Sequence, residues 1–192
     1  MITVGIVGMG VIGAHIAQAI TTGIPGIALA GVTVRDPAKA GGHRALALEW
    51  LIRESDLVVE AATQAALREF APAVLAAGKH LMVLSVGGLV GVLDEWARLA
   101  HERGCRILVP SGAIAGLDGM KGAREGAITS VTMETRKPPR GLAGAPYITE
   151  HHIDLDAIRE ETLIFEGTAT DRIPMSPSSA RLRCPILILR SA

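Results

Sequence analysis

The sequence is short of several things at once, and each shortage removes a class of function. Of its 192 residues only Cys105 and Cys184 are cysteines. Two thiols so far apart make neither a disulfide framework nor a metal cluster, which suits a reducing cytosol. Charge of one sign is also lacking, since 19 Lys and Arg face 19 Asp and Glu. The charges are scattered rather than blocked, so there is no basic footprint for nucleic acid. Aromatic residues are only 3% of the chain, yet 49% is hydrophobic, which excludes disordered and fibrous classes and leaves a packed globular protein. No Lys, Arg, Asp or Glu occurs in the first 34 residues. A signal peptide would need a cationic start, and a membrane span about 20 mostly large apolar residues. This stretch instead holds seven glycines with His15, Gln18 and Pro25, so it reads as a buried strand, a turn and a core helix. The expectation is a cytoplasmic protein with no membrane partner.

What is present is a rhythm. Ile2 to Val7 is a β-branched run ending in Gly8, as a strand buried on both faces should be. Val11 to Ile20 continues as a helix. Further strands are predicted at Leu29 to Val34, Leu57 to Ala61, Leu81 to Val86 and Ile107 to Val109. Helices are predicted at Ala45 to Glu54, Ala65 to Ala77 and Val92 to Arg103, the last two closed by Gly78 and Gly104. Such alternation implies right-handed crossovers and a parallel sheet. The expected fold is α/β, a Rossmann-type doubly wound parallel sheet over residues 1–110. At about 150 residues per domain the length allows part of a second.

That second part, 111–171, reads as an incomplete α+β substrate domain. A strand is expected at Ile128 to Thr135, a loop through Pro138, Pro139, Gly141 and Gly144, a helix at Asp154 to Glu161, and a strand at Thr162 to Glu166. Residues 172–192 differ again, with four Arg, three Pro, four Ser and no acidic residue.

Gly8-Met9-Gly10-Val11-Ile12-Gly13 is a GxGxxG at the junction of first strand and first helix. In that context Gly8 permits the tight turn, Gly10 admits a pyrophosphate, and Gly13 lets helix approach strand. Arg35 and Asp36 close the second strand. An Asp there would bind the ribose hydroxyls of NAD, an Arg the 2′-phosphate of NADP, so either cofactor fits. Ser85-Val-Gly-Gly88 and Pro110-Ser-Gly-Ala-Ile-Ala-Gly116 follow the fourth and fifth strands, where a doubly wound sheet keeps its crevice. Arg136 and Lys137 are two cations able to hold carboxylates. His151 and His152 point apart as neighbours and are read as loop residues, and no metal site is expected. No Ser-His-Asp or Cys-His arrangement is indicated.

At Asp56-Leu-Val-Val-Glu-Ala-Ala-Thr63, Leu81-Met-Val-Leu-Ser-Val-Gly-Gly-Leu89, Pro110-Ser-Gly-Ala-Ile-Ala-Gly-Leu-Asp118, Thr135-Arg-Lys-Pro-Pro139 and Ile164-Phe-Glu-Gly-Thr-Ala169, the chain resembles the L-aspartate dehydrogenase family over residues 2–171. The resemblance implies NAD- or NADP-dependent oxidation of L-aspartate at Cα, giving iminoaspartate that hydrolyses to oxaloacetate and ammonia or feeds NAD biosynthesis. Cofactor contacts are then expected from Gly8, Gly10, Val11, Ile12, Gly13, Arg35, Asp36, Ala61, Ala62, Ser85 and Ala113, the last matching the family's Gly-Ala-Ile motif. Substrate contacts are expected from Arg136 and Lys137, and a homodimer is left open. After Asp171 the family's aromatic-Pro, its Asn-x-Asn-Val-Ala-Ala stretch and its catalytic His have no counterpart, so no catalytic residue is assigned. Reading the tail's codons one base early permits Pro-Asn-Val-Thr-Val-Ile-Gly-Ala-Ala-Ala-Leu from Ile173 onward, as a frameshift would, and impaired activity is expected of this chain. The alternatives are an inactive nucleotide-binding remnant, or another enzyme on the same plan such as homoserine dehydrogenase or dihydrodipicolinate reductase. The Ser-Gly-Ala-Ile-Ala-Gly and Thr-Arg-Lys-Pro-Pro motifs argue against the latter.

Overall fold

A computed structural model describes residues 1–112, 116–132, 134–168 and 183–189. The chain divides into two compact units, Met1–Ala115 and Gly116–Ala192.

In the first unit the apolar runs become β1 (Ile2–Val7), β2 (Ile27–Thr33), β3 (Leu57–Glu60), β4 (His80–Val83) and β5 (Ile107–Leu108). They form one parallel sheet in the order β2-β1-β3-β4-β5. The crossovers carry α1 (Val11–Gly23), α2 (Leu48–Glu54), α3 (Gln64–Ala76) and α4 (Leu93–Glu102). The Rossmann-type expectation therefore holds. Alternate residues of the central strands serve different faces, as a period of two requires. Val58, Leu81 and Val83 pack with Leu51 of α2, Leu67, Phe70 and Val74 of α3, and Trp96 of α4. Val4, Ile6 and Val59 pack with Ala17 and Ile20 of α1. The crossover from β1 runs to one side and those from β2 onward to the other, so the chain's direction switches between β1 and β3. In such sheets the ligand crevice opens at that switch, outside the carboxyl ends of the strands.

Two helices begin or end differently from expectation. Ala45 is not helical but bridges Val32, which holds the start of α2 back to Leu48. At the other end α1 runs on to Gly23, whose φ of 121° then turns the chain. Cys105 is buried in the first unit's core, an ordinary apolar position.

The second unit departs further. The alternating run from Ile128 yields a strand only at its end, β6 (Thr135–Lys137); residues 128–130 are exposed coil. A helix the Gly-rich sequence concealed, α5 (Leu117–Ala123), precedes it, and α6 (Pro146–Glu150) follows a 3-10 turn at Pro139–Leu142. The helix expected over 154–161 reduces to a single 3-10 turn, Leu155–Ala157, started by the Asp154 carboxylate accepting the amides of Asp156 and Ala157. β7 (Thr162–Thr168) and β8 (Arg183–Leu189) complete a sheet in the order β6-β8-β7, with β8 parallel to β6 and antiparallel to β7. The β7–β8 register slips between Phe165 and Gly167, opposite Pro185, which has no N–H for the ladder. Leu142, Ile148 and Phe165 form this unit's small core.

Candidate functional site

The site is built at the switch point. Val7 ends β1, and Gly8 turns the chain with φ 97°, a conformation L side chains rarely adopt. Its amide donates to the Thr33 carbonyl at 3.0 Å, and a Cβ on it would lie 2.5 Å from the Ala61 carbonyl oxygen. Gly13, one turn into α1, is equally constrained, since a Cβ there would collide with the Gly8 carbonyl oxygen. Gly10 is different. Its φ of −70° suits any residue, and a Cβ on it would meet nothing within 4 Å. Fold requirements thus account for two of the three motif glycines and leave the middle one unexplained. Around it the first turn of α1 has no side-chain cap and no acidic residue, so its amides and the positive end of its dipole are available to an anion. Val11 and Ile12 beside it are 77% and 60% exposed. A dinucleotide's pyrophosphate fits these features, because it needs open backbone and free amides together.

At the end of β2, Arg35 is exposed, and Asp36 uses one oxygen to cap the 3-10 turn Pro37–Ala40, accepting the Ala38 amide at 3.0 Å. Ala61 and Ala62 follow β3, half-buried against the Gly8 turn. Ser85 follows β4 and opens a 3-10 turn, Val86–Leu89. The small residues of that turn have a packing reason: a Cβ on Gly87 would lie 2.5 Å from the Gln64 amide nitrogen, and one on Gly88 2.8 Å from Leu67 Cδ2. They let the turn lie against α3.

One residue of this region was not singled out from sequence. Glu60, the last residue of β3, is fully buried. Its Oε1 accepts the Ala62 amide and the Ser85 hydroxyl, both at 2.8 Å, and its Oε2 accepts the amides of Leu84 at 3.1 Å and Ser85 at 2.7 Å. The only signal in the sequence is an acidic side chain closing an apolar strand.

In the second unit Arg136 is paired twice, with Glu134 at 2.5 Å and with Glu161 at 3.2 Å, while Lys137 is exposed. Next to them Pro138, Pro139, Arg140 and Arg159 help line an open groove of about 360 Å³. His151 stacks on Tyr147 with ring centroids 4.0 Å apart and its Nδ1 is 2.9 Å from the Tyr147 carbonyl oxygen, whereas His152 takes φ 50° in the following turn. Among the described residues no group of His, Cys, Asp and Glu could hold a metal, and no helix is long and apolar enough to cross a membrane. Ala113 lies outside the described residues.

Comparison with known proteins agrees with this architecture. Residues 8–110 match the family described as homoserine dehydrogenase, NAD binding domain, and residues 118–181 the family described as aspartate dehydrogenase, C-terminal. The second match extends ten residues beyond Asp171, where the sequence motifs stop. The chain is 39% identical to an L-aspartate dehydrogenase of Methanosarcina mazei over 97% of this chain and 73% of that one. It is 41% identical to another of Methanocella arvoryzae over 98% of this chain and 74% of that one. Among solved structures it resembles an aspartate dehydrogenase of Thermotoga maritima, with a TM-score of 0.69 and 20% identity over 99% of this chain and 79% of that one. The first unit is a Rossmann-type NAD-binding domain, and the chain belongs to the L-aspartate dehydrogenase family of NAD(P)-dependent oxidoreductases.

Proposed function

We propose that this chain oxidises L-aspartate at Cα, with Gly8, Gly10, Val11, Ile12 and Gly13 receiving the cofactor's pyrophosphate at the start of α1. The observation that carries this is Gly10, a glycine that neither backbone conformation nor packing requires. NAD or NADP, when bound, supplies the hydride acceptor. Arg35 and Asp36 lie where the adenosine ribose would be recognised, with Arg35 available to a 2′-phosphate. Ala61, Ala62 and Ser85 border the nicotinamide side, Ala113 is a cofactor contact on the strength of the family's Gly-Ala-Ile motif alone, and Arg136 and Lys137 hold the substrate's carboxylates. Arg136 would do so while keeping one of its acidic partners, since a guanidinium has five donors. The substrate loses a hydride from Cα and a proton from nitrogen; water adds to the resulting imine and ammonia leaves. Provision of iminoaspartate for NAD biosynthesis, a cytoplasmic location and assembly as a homodimer belong to the same reading, as does the division into residues 1–110, 111–171 and 172–192.

For this polypeptide we propose slow turnover, because residues 172–192, with four Arg, three Pro, four Ser and no acidic residue, stand where the family's cofactor-contacting stretch is expected. The test follows NADH or NADPH formation from L-aspartate at alkaline pH, for this chain and for a version read in the shifted frame after Asp171, with L-homoserine as the control substrate. Slow turnover of aspartate by the first, fast turnover by the second and none of homoserine are expected. Oxidation of homoserine instead would overturn the substrate assignment, and equal turnover by both versions would return His151, His152 and Lys137 to consideration.

A further inference from the structure

Glu60 is an expensive way to end a strand. Among the described residues no cation pairs with it, and a buried charge without a counter-ion costs stability that an apolar side chain of similar size would not. What it accomplishes is local. Four donors converge on its two oxygens, and every one belongs to Ala62 after β3 or to Leu84 and Ser85 after β4. Three are backbone amides with fixed direction. The fourth is the Ser85 hydroxyl, whose single proton is given to Oε1 at 2.8 Å. A hydroxyl has one proton and two lone pairs, so Ser85 is left able only to accept.

That polarity selects a partner. Among the groups of NAD(P), the ribose hydroxyls can turn to donate or accept and so tolerate either polarity, whereas the adenine amino group and the nicotinamide carboxamide N–H can only donate and require an acceptor. In the strand order β2-β1-β3-β4-β5 the pyrophosphate seat lies at β1, the adenosine side towards β2, and Ser85 follows β4 on the opposite side. We infer that Glu60 is a positioning residue: it holds the Ser85 hydroxyl as an acceptor for the nicotinamide carboxamide N–H, and so selects the orientation of the ring. This rests on the dinucleotide reading of the Gly10 loop.

Glu60→Gln separates this role from scaffolding. The new amide must replace one carboxylate oxygen. In the Oε2 position it would face the Leu84 and Ser85 amides, which cannot turn; in the Oε1 position it faces Ala62 and a hydroxyl that can. The Ser85 hydroxyl then accepts from the introduced amide and presents its proton outward, donor against donor. Calorimetric titration with NADH and with ADP-ribose, which lacks nicotinamide, reads the difference. Glu60→Gln is expected to weaken NADH about ten- to hundredfold and ADP-ribose about twofold or less, the worth of a lost hydrogen bond plus an unmatched donor. Ser85→Ala, which leaves the three amide bonds in place and keeps the test available if Glu60→Gln does not fold, should weaken NADH about three- to tenfold and spare ADP-ribose. Adding Glu60→Gln to Ser85→Ala should cost NADH nothing more than it costs ADP-ribose. Equal losses for both ligands in Glu60→Gln would make Glu60 a scaffold residue and overturn the inference alone. So would an unchanged NADH-specific loss in the Ser85→Ala background, or no loss in Ser85→Ala itself. A wild-type chain that binds neither ligand would overturn the dinucleotide reading and this inference with it.

Discussion

Gly10 and Gly13 lie three residues apart in one motif, and replacing each by alanine should produce opposite results. At Gly10 the backbone is already at φ −70° and the added methyl meets nothing in the protein. Stiffening the unfolded chain stabilises by about 0.4 to 1 kcal/mol, while a poorer helix-cap residue costs a similar amount, so the net change should stay within about 0.5 kcal/mol. At roughly 2 to 4 °C per kcal/mol for a chain of this size, the melting temperature should move by about 2 °C or less. The same methyl would stand where the pyrophosphate approaches the amides. Overpacking of that kind costs about 1 to 3 kcal/mol, so NADH affinity should fall about five- to hundredfold. At Gly13 the methyl collides with the Gly8 carbonyl oxygen, part of a backbone turn that cannot rotate away, and lies 3.4 Å from the Ala61 Cβ. There the strain is borne by the folded protein with or without ligand, about 1 to 3 kcal/mol and a melting point lower by roughly 2 to 12 °C. Thermal melting and fluorescence titration with NADH, run on both variants, give four numbers. Gly10→Ala protein that melts like wild type and binds NADH undiminished would refute the seat.

Three further outcomes can be checked with the same material. Arg35→Ala should weaken NADPH about tenfold or more and leave NADH nearly unchanged, since only the 2′-phosphate loses a charged partner; equal losses would make Arg35 a bystander. Gly5→Ala should destabilise by about 1 to 3 kcal/mol, because the methyl would lie 2.7 Å from Leu51 Cγ where α2 crosses β1; chemical denaturation measures it. Burial pushes the Cys105 thiol above the ordinary thiol range, so in a Cys184→Ala chain a disulfide reagent should react slowly with the native protein at mildly alkaline pH and quickly after unfolding. As pH climbs past the ordinary thiol range the unfolded state loses that proton first, and stability should fall with it.

The first unit was legible because its signals are local. β1 is a β-branched run and the other strands of its sheet are short, mostly apolar ones, and Gly78 and Gly104, both left-handed, end their helices where expected. The second unit was read less well for physical reasons. Alternation from Ile128 to Thr135 describes a face without saying whether a neighbour will pair with it, and β-structure needs a neighbour; among the described residues of this stretch only Thr135–Lys137 has one. The α5 helix contains Gly119 and Gly122, which lower intrinsic helix propensity and hid it. In the candidate site, the roles of Gly8 and Gly13 in the turn and in close packing could be read from spacing. Glu60 could not be singled out, because its donors at Leu84 and Ser85 lie 24 and 25 residues away and two are backbone amides, which every residue but proline possesses.

The unequal constraints on the motif's glycines bear on how such a chain would drift if selection for nucleotide binding were relaxed. Substitution at Gly8 or Gly13 would be purged by misfolding alone, whatever the protein did, because backbone conformation and a carbonyl oxygen forbid a side chain there. Gly10 has no such guardian and would be free to mutate. A descendant that kept the outer two glycines and lost the middle one would still fold as this unit does, and would carry a record of lost binding in one position. The two outer glycines report on the scaffold, and the middle one on its use.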